Sequence, residues 1–342
     1  MDFTPTEEQA AAQELAARIY GDLATHERLS AAGTDTDAEL WKALCAAGLP
    51  GAVEETGLLG LVLVAEEQGR TTAQAPFTAS CVYGILAVSR HGTDEQRERL
   101  LPGLRDGTTV VTGAFPPAGH VRVAGDGSLT GAVEWVPWLR DATHVLVAAE
   151  DGVLRLVPTA EAAVTPVELT APWAAGRLVL DGALGERIGA AGAPADVLAA
   201  ARIAFAGLQA GVCAGSLARA VAHTSTREQF GRPLATRQAV QLRAADAHMD
   251  TEAIRVTCYE AAWRYDQDLP VAEHALTAAW WASEAGKRVV HTGQHLHGGM
   301  GADLDHPVHR HFLWGRQLDA YLGCGTELLA ELGDLIANGE LS

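Results

Sequence analysis

The sequence predicts an α+β fold in three blocks: an N-terminal helical domain, a small central antiparallel β domain and a C-terminal four-helix bundle. Three observations carry it. Apolar residues recur at helical spacing up to about residue 105, β-rich runs separated by turn signals fill about 108–182, and long alanine-rich stretches follow Pro194. The expected domains are 1–107, 108–185 and 186–342.

In the first block, Thr4 precedes an acidic turn at Glu7 and Glu8, and Leu15, Ala16, Ile19, Tyr20 and Leu23 then mark one helix face. Thr93 stands before Asp94 and Glu95 as a cap, and Pro102 sets the end of that helix near Leu101. In the second block TTVVTGAF, SLTGAVEWV, THVLVAA and VLRLV read as strands, punctuated by Gly125-Asp126-Gly127 and Glu150-Asp151-Gly152. In the third, DVLAAARIAFAGLQAGVCAGSLARAVAHTSTREQF, RQAVQLRAADAHMDTEAIRVTCYEAAWRYD and HALTAAWWASEAGKRVVHTGQHL read as helices long enough to pack as an antiparallel bundle.

Composition narrows the function classes. With 43 acidic against 25 basic residues the net charge is −18, which argues against nucleic acid or an anionic membrane as a partner held by the bulk field. The acid-bearing N-terminus reads as a helix rather than a signal peptide, and no apolar stretch is expected to reach the roughly 18 residues that a membrane span needs. The expected location is therefore cytoplasmic. Cys45, Cys81, Cys213, Cys258 and Cys324 are scattered without a CxxC pair, which fits reduced thiols rather than a disulfide framework or zinc site.

Two strings carry candidate chemistry. In Arg227-Glu228-Gln229-Phe230-Gly231-Arg232-Pro233-Leu234 the arginine offers a forked cation to a phosphate and Gly231 permits a tight turn; the plainer reading is an interhelix turn with a solvated arginine. In Gln294-His295-Leu296-His297-Gly298-Gly299-Met300-Gly301 the glycines let backbone N–H groups approach a pyrophosphate or adenosine. His291, His295, His297 and His306 also admit a reading as metal ligands, but the glycines around them suit backbone approach to a ligand better than rigid coordination, and no metal is expected.

Together these strings resemble the acyl-CoA dehydrogenase family, in order along nearly the whole chain. DFTPTEEQ is similar to the family's opening helix, GTDEQRERLLPGLRDG to its GTEEQKxRYLPxLxxGE, REQFGRPL to its RxQFGxPL and GQHLHGGMGADLDHPVHR to its QxxGGxGYxxDYPxxR, while GCGTELL sits where YEGTxEI belongs. The resemblance implies an acyl-CoA dehydrogenase-like fold, a tetramer built on the C-terminal bundle, and FAD held at its pyrophosphate and adenosine half by Arg227, Gln229, Phe230 and the Gly298–Gly299 turn. The family's glutamine aligns with His295, with Gln294 displaced by one, so both are kept as cofactor-binding candidates.

The departures matter as much. The chemistry removes a proton from the α carbon and a hydride from the β carbon of an acyl thioester, which needs a carboxylate base. The family places that glutamate at one of two sites, and the matching residues here are Ala201, still followed by Arg202, and Cys324, still followed by Gly325-Thr326. Cys324 as a thiolate base is an alternative with no evident cationic partner in the sequence. The family's flavin-ring strings GxKxWI and LTEPxxGSD become GAVEWVPWL and GAFPPAGHV, and Trp135 and Trp138 read as packing rather than flavin-stacking residues.

This pattern resembles the shorter, non-catalytic subunit of actinobacterial α2β2 acyl-CoA dehydrogenases that act on steroid side chains carried as CoA thioesters. It implies a catalytic sister subunit that binds most of the acyl-CoA substrate and shares FAD with this chain. Two alternatives stay open: a stand-alone flavoenzyme with an altered base, and a flavin-free scaffold of the same fold.

Overall fold

The computed structural model describes residues 3–115 and 119–339. The chain opens with α1 (Glu7–Leu23), α2 (His26–Ala32), α3 (Ala38–Ala46) and α4 (Leu49–Thr71), the last broken at Gly57, whose φ of 70° and ψ of −164° are not helical. A further run comprises α5 (Phe77–Ser80), a wider π turn (Cys81–Leu86) and α6 (Ala87–His91), followed by α7 (Asp94–Asp106).

Two ends depart from the sequence reading. The cap of α1 is Thr6, not Thr4: its side chain accepts from the Gln9 amide while the Gln9 side chain accepts from the Thr6 amide, a reciprocal pair that Thr4 is too far back to make. Thr93 caps α7 in the same way with Gln96, but α7 runs through Pro102 to Asp106 instead of stopping at Leu101. Pro102 lies on the exposed face and Leu104 is 1 % exposed, so burying Leu104 offsets a backbone bond lost on the solvent side.

The β region forms two sheets. One has the order β1 (Val111–Ala114), β4 (His144–Ala148), β5 (Leu154–Pro158), β8 (Glu186–Ile188); the other β2 (Gly119–Val123), β3 (Leu129–Val136), β7 (Gly176–Ala183), β6 (Ala163–Pro166). The pairing is antiparallel except between β1 and β4, which run parallel with Val111 opposite His144. Leu129, Val133, Val145, Val157, Leu178 and Leu180 fill the core shared by the sheets. Trp138 and Trp173, each 1 % exposed, stack at 4.5 Å and 24°, while Trp135 is half-buried in β3.

The remaining helices are α8 (Ala193–Thr226), α9 (Gln238–Asp266), α10 (Ala272–His297), α11 (Pro307–Leu318) and α12 (Gly325–Asn338), with a short hairpin of β9 (Glu228–Gln229) and β10 (Arg232–Pro233) between α8 and α9. The chain divides into two compact units, one of residues 5–61 and 74–201 and one that joins 62–73 to 202 onward. Helix α8 corrects one expectation: it contains an 18-residue window of mean hydropathy 1.6, long and apolar enough to cross a membrane. Because 83 % of that window is buried inside the protein, its alanines and leucines are those of a core helix.

The second unit is built on close helix contact. Gly207, Gly211 and Gly215 recur every four residues on α8 and face Val62, Glu66 and Arg70, which recur every four on α4. A Cβ at Gly211 would lie 2.0 Å from the Glu66 carbonyl oxygen, and one at Gly215 would lie 2.3 Å from that of Arg70. Gly69 returns the contact from α4, where a Cβ would come within 2.1 Å of the Leu208 oxygen. The same half of α4 carries Glu66, 1 % exposed, whose carboxylate accepts from Arg255 of α9 at 3.1 Å. Burial pushes this carboxyl up and the guanidinium pulls it back.

His311 of α11 is 1 % exposed and its Nε2 lies 3.0 Å from the Arg70 carbonyl oxygen. Burial lowers it to about 4 despite that bond.

Two expectations follow from this packing. Gly211→Ala should cost about 3 kcal/mol in denaturant unfolding, since the clash is with backbone, whereas Gly333→Ala, which meets nothing within 4 Å, should be neutral or slightly stabilising; equal effects would contradict the close-contact account. Because burial keeps His311 neutral, it leaves stability unchanged above its ordinary pKa of 6.5 and lowers it progressively as pH falls from there to about 4, by on the order of 3 kcal/mol in all. His311→Gln should flatten the acid limb of the stability–pH curve, and an unchanged limb would contradict the assignment.

Candidate functional site

The hairpin after α8 turns on two left-handed residues, Phe230 at φ 56° and Gly231 at φ 76°, which a two-residue turn of this hand requires. Gly231 adopts this freely, while Phe230 is held there as a strained exception. Arg237 donates to the Gln229 carbonyl at 3.1 Å and stands 5.2 Å over the Phe230 ring.

The end of α8, this hairpin and the end of α10 enclose a cavity of about 520 Å³. Of the sequence-predicted residues, Arg227, Gln229, His295, Gly298 and Gly299 line it together. Among the described residues the Arg227 guanidinium has no hydrogen-bond or ion-pair partner, and a Cβ at Gly298 or Gly299 would meet nothing within 4 Å, so the backbone there is open to a ligand. Gly298 has φ 63°, which reverses the chain as α10 ends.

Two predicted residues are not in the cavity lining. Gln294 donates its side-chain amide to the Gly301 carbonyl at 3.2 Å and so ties the turn, leaving His295 as the member of that pair that faces the cavity. Phe230 is 91 % exposed, with the Arg237 guanidinium over its ring.

Sequence reasoning missed His223, which also lines the cavity. It lies on the last turn of α8, four residues before Arg227, which follows the helix, and that spacing alone gives no signal in the sequence. Its ring stacks on His297 at 4.8 Å and 22°, and His306 meets His297 edge-on at 5.0 Å. His223 is lowered from its ordinary range by burial, then by His297 and Arg227. Among the described residues, no group of three His, Cys, Asp or Glu side chains is placed to hold a metal ion.

The cavity's chemistry suits the diphosphate half of a dinucleotide: an unpaired guanidinium, open glycine backbone and polar side chains, with no lining carboxylate to repel an anion. The ring half is different. Trp138 is spent on Trp173, and Thr112, 0 % exposed, donates its hydroxyl to the Pro137 carbonyl at 2.6 Å. Of the string GAFPPAGHV, Pro116, Pro117 and Ala118 lie outside the described residues.

Ala201 is completely buried in α8. Arg202, next to it, donates to both oxygens of Glu331 at 2.8 and 2.6 Å and to the Leu322 carbonyl at 3.3 Å. Leu322 and Gly323 both have positive φ, 63° and 115°, and turn the chain into Cys324. Cys324 precedes α12; its backbone amide donates to the Glu327 carboxylate at 2.9 Å and its sulfur lies 3.3 Å from the Thr326 hydroxyl. Arg202, which donates to the turn before Cys324, is thus engaged by a carboxylate, and the thiol's hydrogen-bonded side-chain neighbour is the Thr326 hydroxyl.

The elements run helices, strands, helices in an α+β order, and comparison with known proteins says which family has this order. Residues 6–108 match the acyl-CoA dehydrogenase N-terminal domain and residues 192–331 the C-terminal domain. The chain belongs to the acyl-CoA dehydrogenase family, an oxidoreductase family that binds FAD. It is 34 % identical to acyl-CoA dehydrogenase FadE27 of Mycobacterium tuberculosis, over 98 % of this chain and 99 % of that one. Among solved structures it is similar to the Tcur3481-Tcur3483 steroid ACAD (40 % identity, TM-score 0.92) and to the ChsE4-ChsE5 complex from Mycobacterium tuberculosis (31 %, 0.91), each over 98 % of this chain and 99 % of the other. Butyryl-CoA dehydrogenase from Megasphaera elsdenii shares the fold, with a TM-score of 0.87 at 23 % identity over 98 % of this chain and all of that one.

Proposed function

We propose that this chain is the non-catalytic subunit of an FAD-dependent acyl-CoA dehydrogenase, and that it completes the flavin site of a catalytic sister subunit in an α2β2 assembly. The observation that carries this reading is an asymmetry within one chain. Arg227 is unpaired and faces the open Gly298–Gly299 backbone, as a diphosphate grip requires, while the two positions where the family keeps its base hold Ala201, fully buried, and Cys324.

In the complete enzyme FAD supplies the hydride acceptor. This chain's part is to bind and orient: Arg227 with a forked charge on the diphosphate, Gly298 and Gly299 with backbone N–H groups, and His295 and Gln229 from the walls of the cavity. The exposed Phe230, fixed by a strained turn and by Arg237, then presents a flat ring to the adenosine side across the subunit interface. The sister subunit supplies the carboxylate that takes the α proton and most of the acyl-CoA contacts.

The steroid side-chain CoA ester is the substrate class that fits best, because the similar solved structures include one described as a steroid ACAD and one described as a two-component complex. Arg202 supports the division of labour, since its charge is already matched by Glu331. Five free cysteines fit a reducing cytoplasm. The domain division at 107 and 185 belongs to the same reading, with the bundle from 186 onward carrying the assembly.

Arg227→Ala should lower flavin affinity of the assembled complex by 1.5–3 kcal/mol, roughly 10- to 150-fold, as the loss of a charge-assisted bond implies. Flavin absorbance per complex after gel filtration reads this directly. Full occupancy in a correctly assembled Arg227→Ala complex at low flavin concentration would contradict the assignment.

A further inference from the structure

We infer that the stacked pair His223 and His297 is a second phosphate-binding element of the Arg227 cavity, and that a diphosphate entering it brings a proton onto this pair. The inference rests on the flavin-site reading above and adds to it two residues and a proton that the family resemblance does not supply.

The geometry is specific. The two rings lie 4.8 Å apart and 22° from parallel, both line the cavity, and His306 closes the far side of His297 at 5.0 Å and 60°. His297 is 5 % exposed and its Nδ1 lies 2.7 Å from the Gly293 carbonyl oxygen. A carbonyl only accepts, so Nδ1 carries the hydrogen and Nε2 is the nitrogen left to take a second proton.

The surroundings oppose that proton until an anion arrives. From α8, Arg219 faces the cluster, and from the residue just after it, Arg227; from α10, His295 and His297; from the segment that follows, His306 and Asp303. Burial lowers His223 first, then His297 and Arg227; burial lowers His306 first, then His297, Arg219 and His223, with Asp303 the one group pulling upward. Two imidazolium rings stacked at this distance repel one another, so a proton on one ring opposes a proton on the other. Among the described residues that line the cavity, Arg227 is the one arginine, and no lysine or carboxylate lines it.

A diphosphate carries more than one negative charge, so a single guanidinium leaves a surplus. Protonation of the pair from solvent cancels it: a base nitrogen plus a solvent proton becomes an N–H donor to a phosphate oxygen, with no other bond changed. The bound anion raises the pair's pKa. Affinity is therefore constant below the free-state value, falls as pH rises between the free and bound values by up to about tenfold per pH unit for one proton, and is constant again above.

The test is calorimetric titration of ADP, the adenosine diphosphate half of FAD, into the flavin-free full chain near neutral pH, in two buffers of different ionisation enthalpy. The expected result is net proton uptake approaching one per ADP and an affinity that drops several-fold from about pH 6 to about pH 8. In His223→Phe/His297→Phe, which keeps two stacked rings, ADP should still bind through Arg227 but without proton uptake or that pH dependence. The single variant His223→Phe should show a reduced uptake and serves if the buried His297 does not tolerate replacement. ADP binding that depends on Arg227 but releases or takes up no proton, or uptake unchanged in the variants, overturns this inference and leaves the flavin site standing. No ADP binding at any pH overturns this inference, and binding indifferent to Arg227→Ala overturns both.

Discussion

The backbone contact between α8 and the second half of α4 is the constraint on which the candidate site depends. Three glycines at four-residue spacing let α8 lie against the carbonyls of Glu66 and Arg70 at a distance that admits no Cβ. With that face of α8 fixed, its next face meets α10 in the same manner: a Cβ at Gly286 would strike the Gln209 amide and one at Gly293 the Ser216 hydroxyl. Gln209 also donates to the carbonyls of Ala282 and Gly315 at 3.2 Å each. Helix α8 carries His223 on its last turn and is followed directly by Arg227, and α10 ends in His295 and His297 before the Gly298–Gly299 turn. The distance between guanidinium and glycine backbone is therefore set by packing deep in the unit, several turns away from the ligand cavity.

On the proposed reading, this is how a chain keeps half of a cofactor site while its own reactive centre changes. The candidate cavity is built from the ends of packed helices and depends on the glycine contacts. Ala201 on α8 and Cys324 before α12 lie elsewhere, where Arg202 is paired with Glu331 and the turn through Leu322 and Gly323 leads into a helix cap. Ionic pairing of Arg202 with Glu331 at the bundle's edge, half-exposed on the carboxylate side, contributes little stability by itself and more to fixing that turn.

Much of this was legible in the sequence, for local reasons. The Thr93 cap, the Phe230-Gly231 turn and the long alanine-rich helices are written in adjacent residues, and the combination of REQFG with the GG turn identified the family and brought Arg227, Gln229, His295, Gly298 and Gly299 to one cavity. What was hidden is non-local. The glycines of α8 read as weak helix formers, since their partners lie about 145 residues earlier on α4. The parallel pairing of β1 with β4 depends on which strands meet, not on what either contains. Pro102 marked a helix end by local rules, and the burial of Leu104 overrode it. His223 escaped because one histidine on a helix carries no signal until His297 is seen stacked against it. Phe230 and Gln294 stand in the same strings but do not line the cavity: Phe230 is exposed and the Gln294 side chain ties a turn.

The most direct test of the central claim is the flavin absorbance and native mass of this chain purified alone and after co-expression with a catalytic acyl-CoA dehydrogenase homologue. A divided flavin site predicts little or no bound flavin for the chain alone and a mixed tetramer with two flavins per four chains. A yellow homo-oligomer of this chain that oxidises an acyl-CoA unaided would contradict it.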